Sequence, residues 1–206
     1  MHELLQITGR TIYQVPAPSD LPVVYYIHDH EVGGILINAP PFSEATAAAL
    51  DSAGGVSFIF LPSRFGAHDL AAWRKATGAE TMAYEAECGA IEGGVDIVLT
   101  AKTKLTRTID FLPMSGRTEG SCALRLKNKP GVVFFGPILS PGERGWPTLV
   151  PNEDDHSFES RLFGALGLQD VKFEYAFTDV FDAQTTRFGP GADRAIREEI
   201  DQALGV

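Results

Sequence analysis

The chain has 206 residues, 44% hydrophobic and 21% charged, with 21 Gly and 13 Pro, a composition that excludes a disordered or fibrous chain and fits one folded, turn-rich domain spanning 1–206. A formal net charge of −10 argues against nucleic acid as the main partner, because phosphate-backbone binding needs clustered Lys and Arg to displace counterions. The opening Met1-His2-Glu3-Leu4-Leu5 has no basic region leading into a long apolar stretch, and no run has the length needed to cross a bilayer, so no membrane partner and a cytoplasmic location are expected.

The first element signals are Val23-Val24-Tyr25-Tyr26-Ile27 and Gly34-Ile35-Leu36-Ile37, β-branched and aromatic runs that predict a hairpin with His28 to Gly33 as its polar loop. Ser43 then reads as an N-cap, with Glu44 at the positive dipole end, helix formers to Leu50, and Gly54-Gly55 as the stop. Val56 to Leu61 is the nearly continuous apolar run of a strand covered on both faces, ended by Pro62. A helix is predicted from about Ala67 to Ala76, with Gly78 as its C-terminal glycine. Trp73 on it, with Phe58 and Phe60 on the strand before, should be core.

Strands follow over Thr81 to Tyr84, Val95 to Thr100, Thr106 to Leu112, Ser121 to Leu126 and Gly131 to Phe135, the last two joined by Lys127-Asn128-Lys129-Pro130 as a hairpin. A helix from about Asp154 to Leu166, a strand from Val171 to Phe177, and an amphipathic helix over Ala192 to Leu204 complete the chain. Strands dominate, yet helices recur at intervals. This predicts an α+β protein of two mixed sheets packed face to face with helices on the outer faces, a four-layer αββα sandwich. Cys88 and Cys122 stand in no CxxC pair and beside no ligand-spaced partner, and both read as small, largely buried residues. The turns Glu92-Gly93-Gly94 and Gly189-Pro190-Gly191 lack the strand–GxGxxG–helix context of a dinucleotide site.

Four stretches carry a resemblance. Gly33-Gly34-Ile35-Leu36-Ile37-Asn38-Ala39-Pro40, and Phe58-Ile59-Phe60-Leu61-Pro62-Ser63-Arg64-Phe65-Gly66-Ala67-His68-Asp69, resemble the first half of the metallo-β-lactamase superfamily. That half has a hairpin ending in an Ile-Asp-Thr-Gly-like turn, then a helix, then a strand running into His-x-His-x-Asp-His. Ser115-Gly116-Arg117-Thr118-Glu119-Gly120-Ser121 resembles the family's Pro-Gly-His-Thr-Pro-Gly-Ser turn, and Val133-Phe134-Phe135-Gly136-Pro137-Ile138-Leu139 its Leu-Phe-x-Gly-Asp-x-Leu. The similarity runs from about Val23 to Phe181 and implies the αββα fold.

The resemblance also implies a site in which two zinc ions are held by imidazole and carboxylate groups, one position staying open for water. Carried over residue by residue, the ligand positions of the first motif fall on Ser63, Phe65, Ala67 and His68. The next histidine falls on Arg117, the bridging aspartate on Pro137, and the terminal histidine loosely on Asp179. Phe65, Ala67 and Pro137 have no side-chain lone pair, and Arg117 is a permanent cation that repels a divalent metal at close range. No cofactor is therefore expected, and the expectation is a protein that binds a small ligand or a partner without zinc hydrolysis. The alternative is an ester, thioester or lactone hydrolase with one zinc on a rearranged set such as His68, Asp179 and a hairpin histidine, His28 or His30.

Each residue has a plainer reading beside the functional one. His68 is a ligand or general base, or a satisfied structural histidine at a helix start. Arg117 orients a carboxylate or phosphate of a small anionic molecule through paired N–H donors, or forms a salt bridge to an acidic neighbour that fills the vacated pocket. His28 and His30 are a metal pair lacking a third ligand, or members of a polar hairpin loop. His156, in Asn152-Glu153-Asp154-Asp155-His156, reads as part of a solvated helix start. Ser63 has no base or orienter in a recognisable arrangement and is not read as a nucleophile.

Overall fold

The computed structural model describes residues 1–205, and the chain divides into two compact units, Met1–Leu99 and the remainder from Thr100. The first holds one seven-stranded sheet built from β1 (His2–Ile7), β2 (Arg10–Val15), β3 (Val24–Asp29), β4 (Gly33–Ile37), β5 (Phe58–Leu61), β6 (Glu80–Tyr84) and β7 (Ile97–Leu99), which lie side by side in chain order. Pairing is antiparallel from β1 to β4, where no crossover is needed, and parallel from β4 to β7, where each strand must be returned by a crossover. Helices α1 (Glu44–Ser52) and α2 (Leu70–Thr77) supply two of those crossovers.

Local chemistry sets the ends of both helices. The Ser43 hydroxyl accepts the Thr46 N–H at 3.1 Å and opens α1, while Gly78, at φ 72°, closes α2 with its N–H on the Arg74 carbonyl. The core of this unit gathers Leu36, Leu50, Ile59, Leu61 and Leu70 around the fully buried Trp73. The Trp73 indole N–H donates to the Pro40 carbonyl at 2.7 Å, so the largest core side chain also fixes the chain just before α1. Phe60 is core as expected, and Phe58, at the strand start, is half-buried.

The second unit holds β8 (Ile109–Pro113), β9 (Cys122–Leu126), β10 (Val132–Phe134), the short pair β11 (Ser140–Pro141) and β12 (Pro147–Thr148), α3 (Phe158–Leu166), β13 (Tyr175–Phe177) and α4 (Ala192–Leu204). Its four-stranded sheet has the order β13-β10-β9-β8, parallel between β13 and β10 and antiparallel elsewhere. On α4, Ala192, Ile196, Glu199 and Ile200 recur at helical spacing on the buried face. They pack with Val133, Phe135, Ile138, Leu139 and Ala165. Both sheets are mixed and helices accompany each, so the class is α+β.

The structure departs from the sequence reading at several places. β1 and β2 form a hairpin ahead of the first predicted strand. His28 and Asp29 belong to β3 and not to the loop: Asp29 pairs with Arg10 and its carboxylate accepts the Glu31 and Val32 N–H groups, tightening the turn beyond it. The helix predicted from Ala67 begins at Leu70, because 64–66 form a 3₁₀ turn and Asp69 takes φ 47°. The helix predicted from Asp154 begins at Phe158, where Ser157 is the cap. Cys88 is half-buried and Cys122 buried, both as free thiols, and burial pushes both pKa values up. Among the described residues no helix is long and apolar enough to cross a membrane.

Candidate functional site

In the first unit the segment 63–68 leaves β5 and is held along the chain that leaves β4. The Ala39 N–H donates to the Gly66 carbonyl at 2.7 Å and the His68 N–H to the Ala39 carbonyl at 3.3 Å, with Ala39 and Ala67 in a parallel bridge. A Cβ at Gly66 would overlap the Asn38 carboxamide, so a glycine is required where the two segments meet. Asn38 itself sits at φ 61° and donates to the Val23 carbonyl at 2.8 Å.

Ser63 is fully buried and its hydroxyl accepts the Phe65 N–H at 3.3 Å, capping the turn 64–66. Its role is local, in capping that turn. Glu87, also fully buried, accepts the Arg64 N–H at 2.7 Å. No motif pointed to it. A buried carboxylate is tolerated where it takes charge-assisted bonds, and here it ties the turn to the segment after β6. Phe65 and Ala67 are half-buried apolar groups. His68 is half-buried, but its Nε2 is sealed from solvent and has no hydrogen-bond partner among the described residues. Among the described residues of the segment it is the one buried side-chain nitrogen or oxygen without a hydrogen-bond partner.

His28 and His30 lie with ring centroids 5.5 Å apart, edge to face. The His28 ring packs against Gly54, where a Cβ would stand 2.9 Å from it, and His30 is exposed in the turn. The pair is thus a strand residue and a turn residue. Among the described residues no group of three or more His, Cys, Asp or Glu side chains could hold a metal ion.

In the second unit the turn 115–120 is docked on the start of α3. The Ser157 N–H donates to the Gly116 carbonyl at 2.9 Å and the His156 N–H to the Arg117 carbonyl at 3.4 Å. Gly116, at φ 128°, has no room for a side chain, since a Cβ there would meet the Ser157 carbonyl. This docking carries Arg117 to an acidic pair. Its Nη2 is 3.0 Å from the Asp154 carboxylate and its Nη1 3.7 Å from that of Asp155. A hydrogen bond from Arg117 holds the exposed Asp154 carboxyl below its ordinary range. Asp155 is held in turn by Arg161, a fully buried arginine whose guanidinium also donates to the Val150 and Ile138 carbonyls at 2.9 and 2.7 Å. Of the two readings of Arg117, the salt bridge to an acidic neighbour is present.

Pro137 follows Gly136, whose carbonyl accepts the Asp179 N–H at 2.9 Å. The parallel pairing of β10 and β13 places the Pro137 turn beside Asp179. Asp179 is buried and half-buried Pro137 offers no donor atom. The sequence reading overlooked Arg161 and Asp155; a basic residue on the inward face of an amphipathic helix was the available signal.

No family model matches the sequence. No curated protein matches it either. Solved structures do match. The B3 metallo-beta-lactamase BLEG-1 superposes with a TM-score of 0.72 at 12% identity over 89% of this chain and 96% of that enzyme. The subclass B3 metallo-beta-lactamase BJP-1 of Bradyrhizobium japonicum superposes with a TM-score of 0.66 at 16% identity, over 100% of this chain and 94% of its own. Metallo-beta-lactamase SMB-1, solved in complex with mercaptoacetic acid, gives 0.65 at 14% identity, over 100% and 96%. Three enzymes matched along nearly their whole lengths, with identities this low, establish architecture and not chemistry: this chain has the metallo-β-lactamase fold.

Proposed function

We propose that this chain is a metallo-β-lactamase-fold protein without zinc hydrolysis, acting in the cytoplasm as a binding or interaction protein for a small anionic molecule. The observation that carries this reading is the engagement of Arg117, at a position where the resemblance expects a zinc-binding histidine, by Asp154 and Asp155. A guanidinium in that place adds a positive charge where a divalent cation would need a neutral or negative donor. The two nearest carboxylates are already spent on arginines. With Phe65, Ala67 and Pro137 offering no lone pair, the residues do not fit a dinuclear zinc site.

The same network offers an anion a way in. Asp154 is 66% exposed while the Arg117 side chain is 14% exposed, so a carboxylate or phosphate can displace the outer aspartate, and Asp155 stays with Arg161. The test is thermal shift against inorganic phosphate, citrate and short dicarboxylates. At least one should raise the Tm of the parent chain, and that gain should vanish in Arg117→Ala. If Arg117→Ala keeps every observed stabilisation, Arg117 is structural only. The second reading, a hydrolase with one zinc, is favoured by the sealed and unpartnered Nε2 of His68. It requires close to one tightly bound zinc per chain, lost in His68→Ala.

A further inference from the structure

In this acidic chain several arginines are each met by a carboxylate, as Arg10 is by Asp29, Arg74 by Asp96 and Arg197 by Asp193. One corner of the second unit breaks that balance. Lys102, Lys104, Arg107, Arg125, Lys127 and Lys129 are six of the 17 basic residues, and the segments that carry them, 100–110 and 122–130, contain one acid, Asp110. The sheet brings the two segments together. Lys104 forms a bridge with Asp110 on one side and Arg125 pairs with it on the other, so the three side chains share a face. The Lys127 N–H donates to the Thr108 carbonyl at 2.8 Å and continues the ladder one step, and its Nζ comes within 3.3 Å of the Asp110 carboxylate. Val133 and Ala176, next after Arg125 in the same row, lie in the core with α4. The row therefore runs from a covered apolar end to a cationic one.

Asp110 does not balance these charges. Arg125 takes both of its oxygens, at 2.8 and 2.7 Å, and Lys127 shares one of them. Lys102, Lys104, Arg107 and Lys129 are exposed and have no ion pair among the described residues. Just beyond the hairpin, Lys172 and Glu174 flank Gly131 with opposite charges, and the Glu174 carboxylate accepts the Gly191 N–H at 3.0 Å. Like charges crowded on one face are destabilising, and carboxylates brought from outside relieve them.

We propose that this cationic corner of β8 and β9 is a docking surface for an extended acidic segment of a partner protein, whose Asp and Glu side chains meet Lys104, Arg125 and Lys127, with Lys102, Arg107 and Lys129 around them. Alternate side chains of an extended chain stand about 6.6–7 Å apart on one side, which is also the interval between Arg125 and Lys127 along their strand. No Phe, Tyr, Trp or His occurs in 100–110 or 122–130, so a single-stranded nucleic acid finds no ring there to stack on. No large hydrophobic of these segments is exposed for insertion into a membrane surface. A long polyanion would also outrun the corner and meet the acidity of a chain of net charge −10, whereas a short acidic segment ends with it.

The test is fluorescence anisotropy of a fluorescein-labelled peptide of six Glu-Ser repeats with the full chain, and a Gln-Ser peptide of the same length as control. The Glu peptide should bind, more weakly as salt rises, and the Gln peptide should not. Lys104→Glu removes one attraction and adds one repulsion, and should weaken binding by about fivefold or more. Lys75→Glu, the same charge change on α2, should leave binding unchanged, and so should Arg117→Ala, which removes the anion site proposed above. Lys104 is exposed, so the Lys104→Glu melt should match that of the parent chain. Equal binding of the two peptides, indifference to Lys104→Glu, an equal loss in Lys75→Glu or loss of binding in Arg117→Ala overturns the proposal. So does tighter, Lys104-dependent binding of an oligothymidylate with six phosphates, Lys104-dependent binding to phosphatidylserine vesicles, or Lys104-dependent self-association in sedimentation.

Discussion

Glu87 is fully buried, accepts the Arg64 amide at 2.7 Å and lies 4.0 Å from the Arg64 guanidinium. It is the group through which the segment after β6 grips the turn that carries Ser63, Phe65, Ala67 and His68. Replacing it by alanine removes a charge-assisted bond and leaves the part-buried Arg64 amide without its acceptor, a loss of about 1.5–3 kcal/mol. Glu87→Ala should lower the unfolding free energy by that amount in a urea titration and speed amide exchange at Arg64 more than at Trp73. A change below about 0.5 kcal/mol would mean that the turn stands without it. At this scale the sequence marked the segment itself, with Ser63, Phe65, Ala67 and His68 together where the chain leaves β5. It was silent on Glu87 and Asp155, which act through partners distant in sequence and belong to no pattern that spacing reveals.

At the scale of elements, β8 and β9 show how one acid can organise a cationic sheet face. Asp110 stands opposite Arg125 in the register, which donates to it at 2.8 and 2.7 Å, and Lys127 approaches to 3.3 Å. Burial pushes the Asp110 pKa up, but the Arg125 hydrogen bonds and the charges of Arg125 and Lys127 outweigh it, and the carboxyl sits below its ordinary value. A depressed folded pKa gives stability that is present above the unfolded value of about 3.9 and is lost as the pH falls through the folded one. Asp110→Asn should therefore destabilise the chain at pH 7 and flatten the acid side of its stability curve below about pH 4, both read from urea midpoints across pH. An unchanged acid limb would show that Asp110 contributes nothing there. The elements themselves were readable where periodicity ran unbroken: α4 occupies Ala192–Leu204 as expected. The β1–β2 hairpin escaped because its register shifts between Glu3 and Leu5, a bulge that destroys the alternation by which a strand is recognised. The start of α3 was misplaced because Asp154 and Asp155 look like dipole-favouring helix residues but serve Arg117 and Arg161.

For the molecule as a whole, architecture and chemistry separate cleanly. The glycines at the turns, Gly66 against Asn38 and Gly116 against Ser157, answer backbone constraints that persist whether or not a metal is bound, and they kept the fold legible across a sequence 12% identical to the BLEG-1 enzyme. The donor atoms of a metal site answer to other demands, and a shared fold does not specify them. A measurable consequence follows from linkage. A ligand that binds the folded chain and not the unfolded one stabilises it by about 2.7 kcal/mol at a free concentration one hundred times its Kd. A chain of this size would then gain roughly 2–4 °C in Tm per kcal/mol. A zinc protein of this fold should melt several degrees higher with zinc than after chelation. This chain, with Arg117 and Arg161 seated among the acids of the second unit, should melt at the same temperature in EDTA and in micromolar zinc. A zinc-dependent rise that disappears in His68→Ala would instead place a metal on the sealed Nε2 of His68 and restore the hydrolase reading. A rise that persists in that variant would point to adventitious binding by half-buried His28 and exposed His30, whose rings already lie 5.5 Å apart.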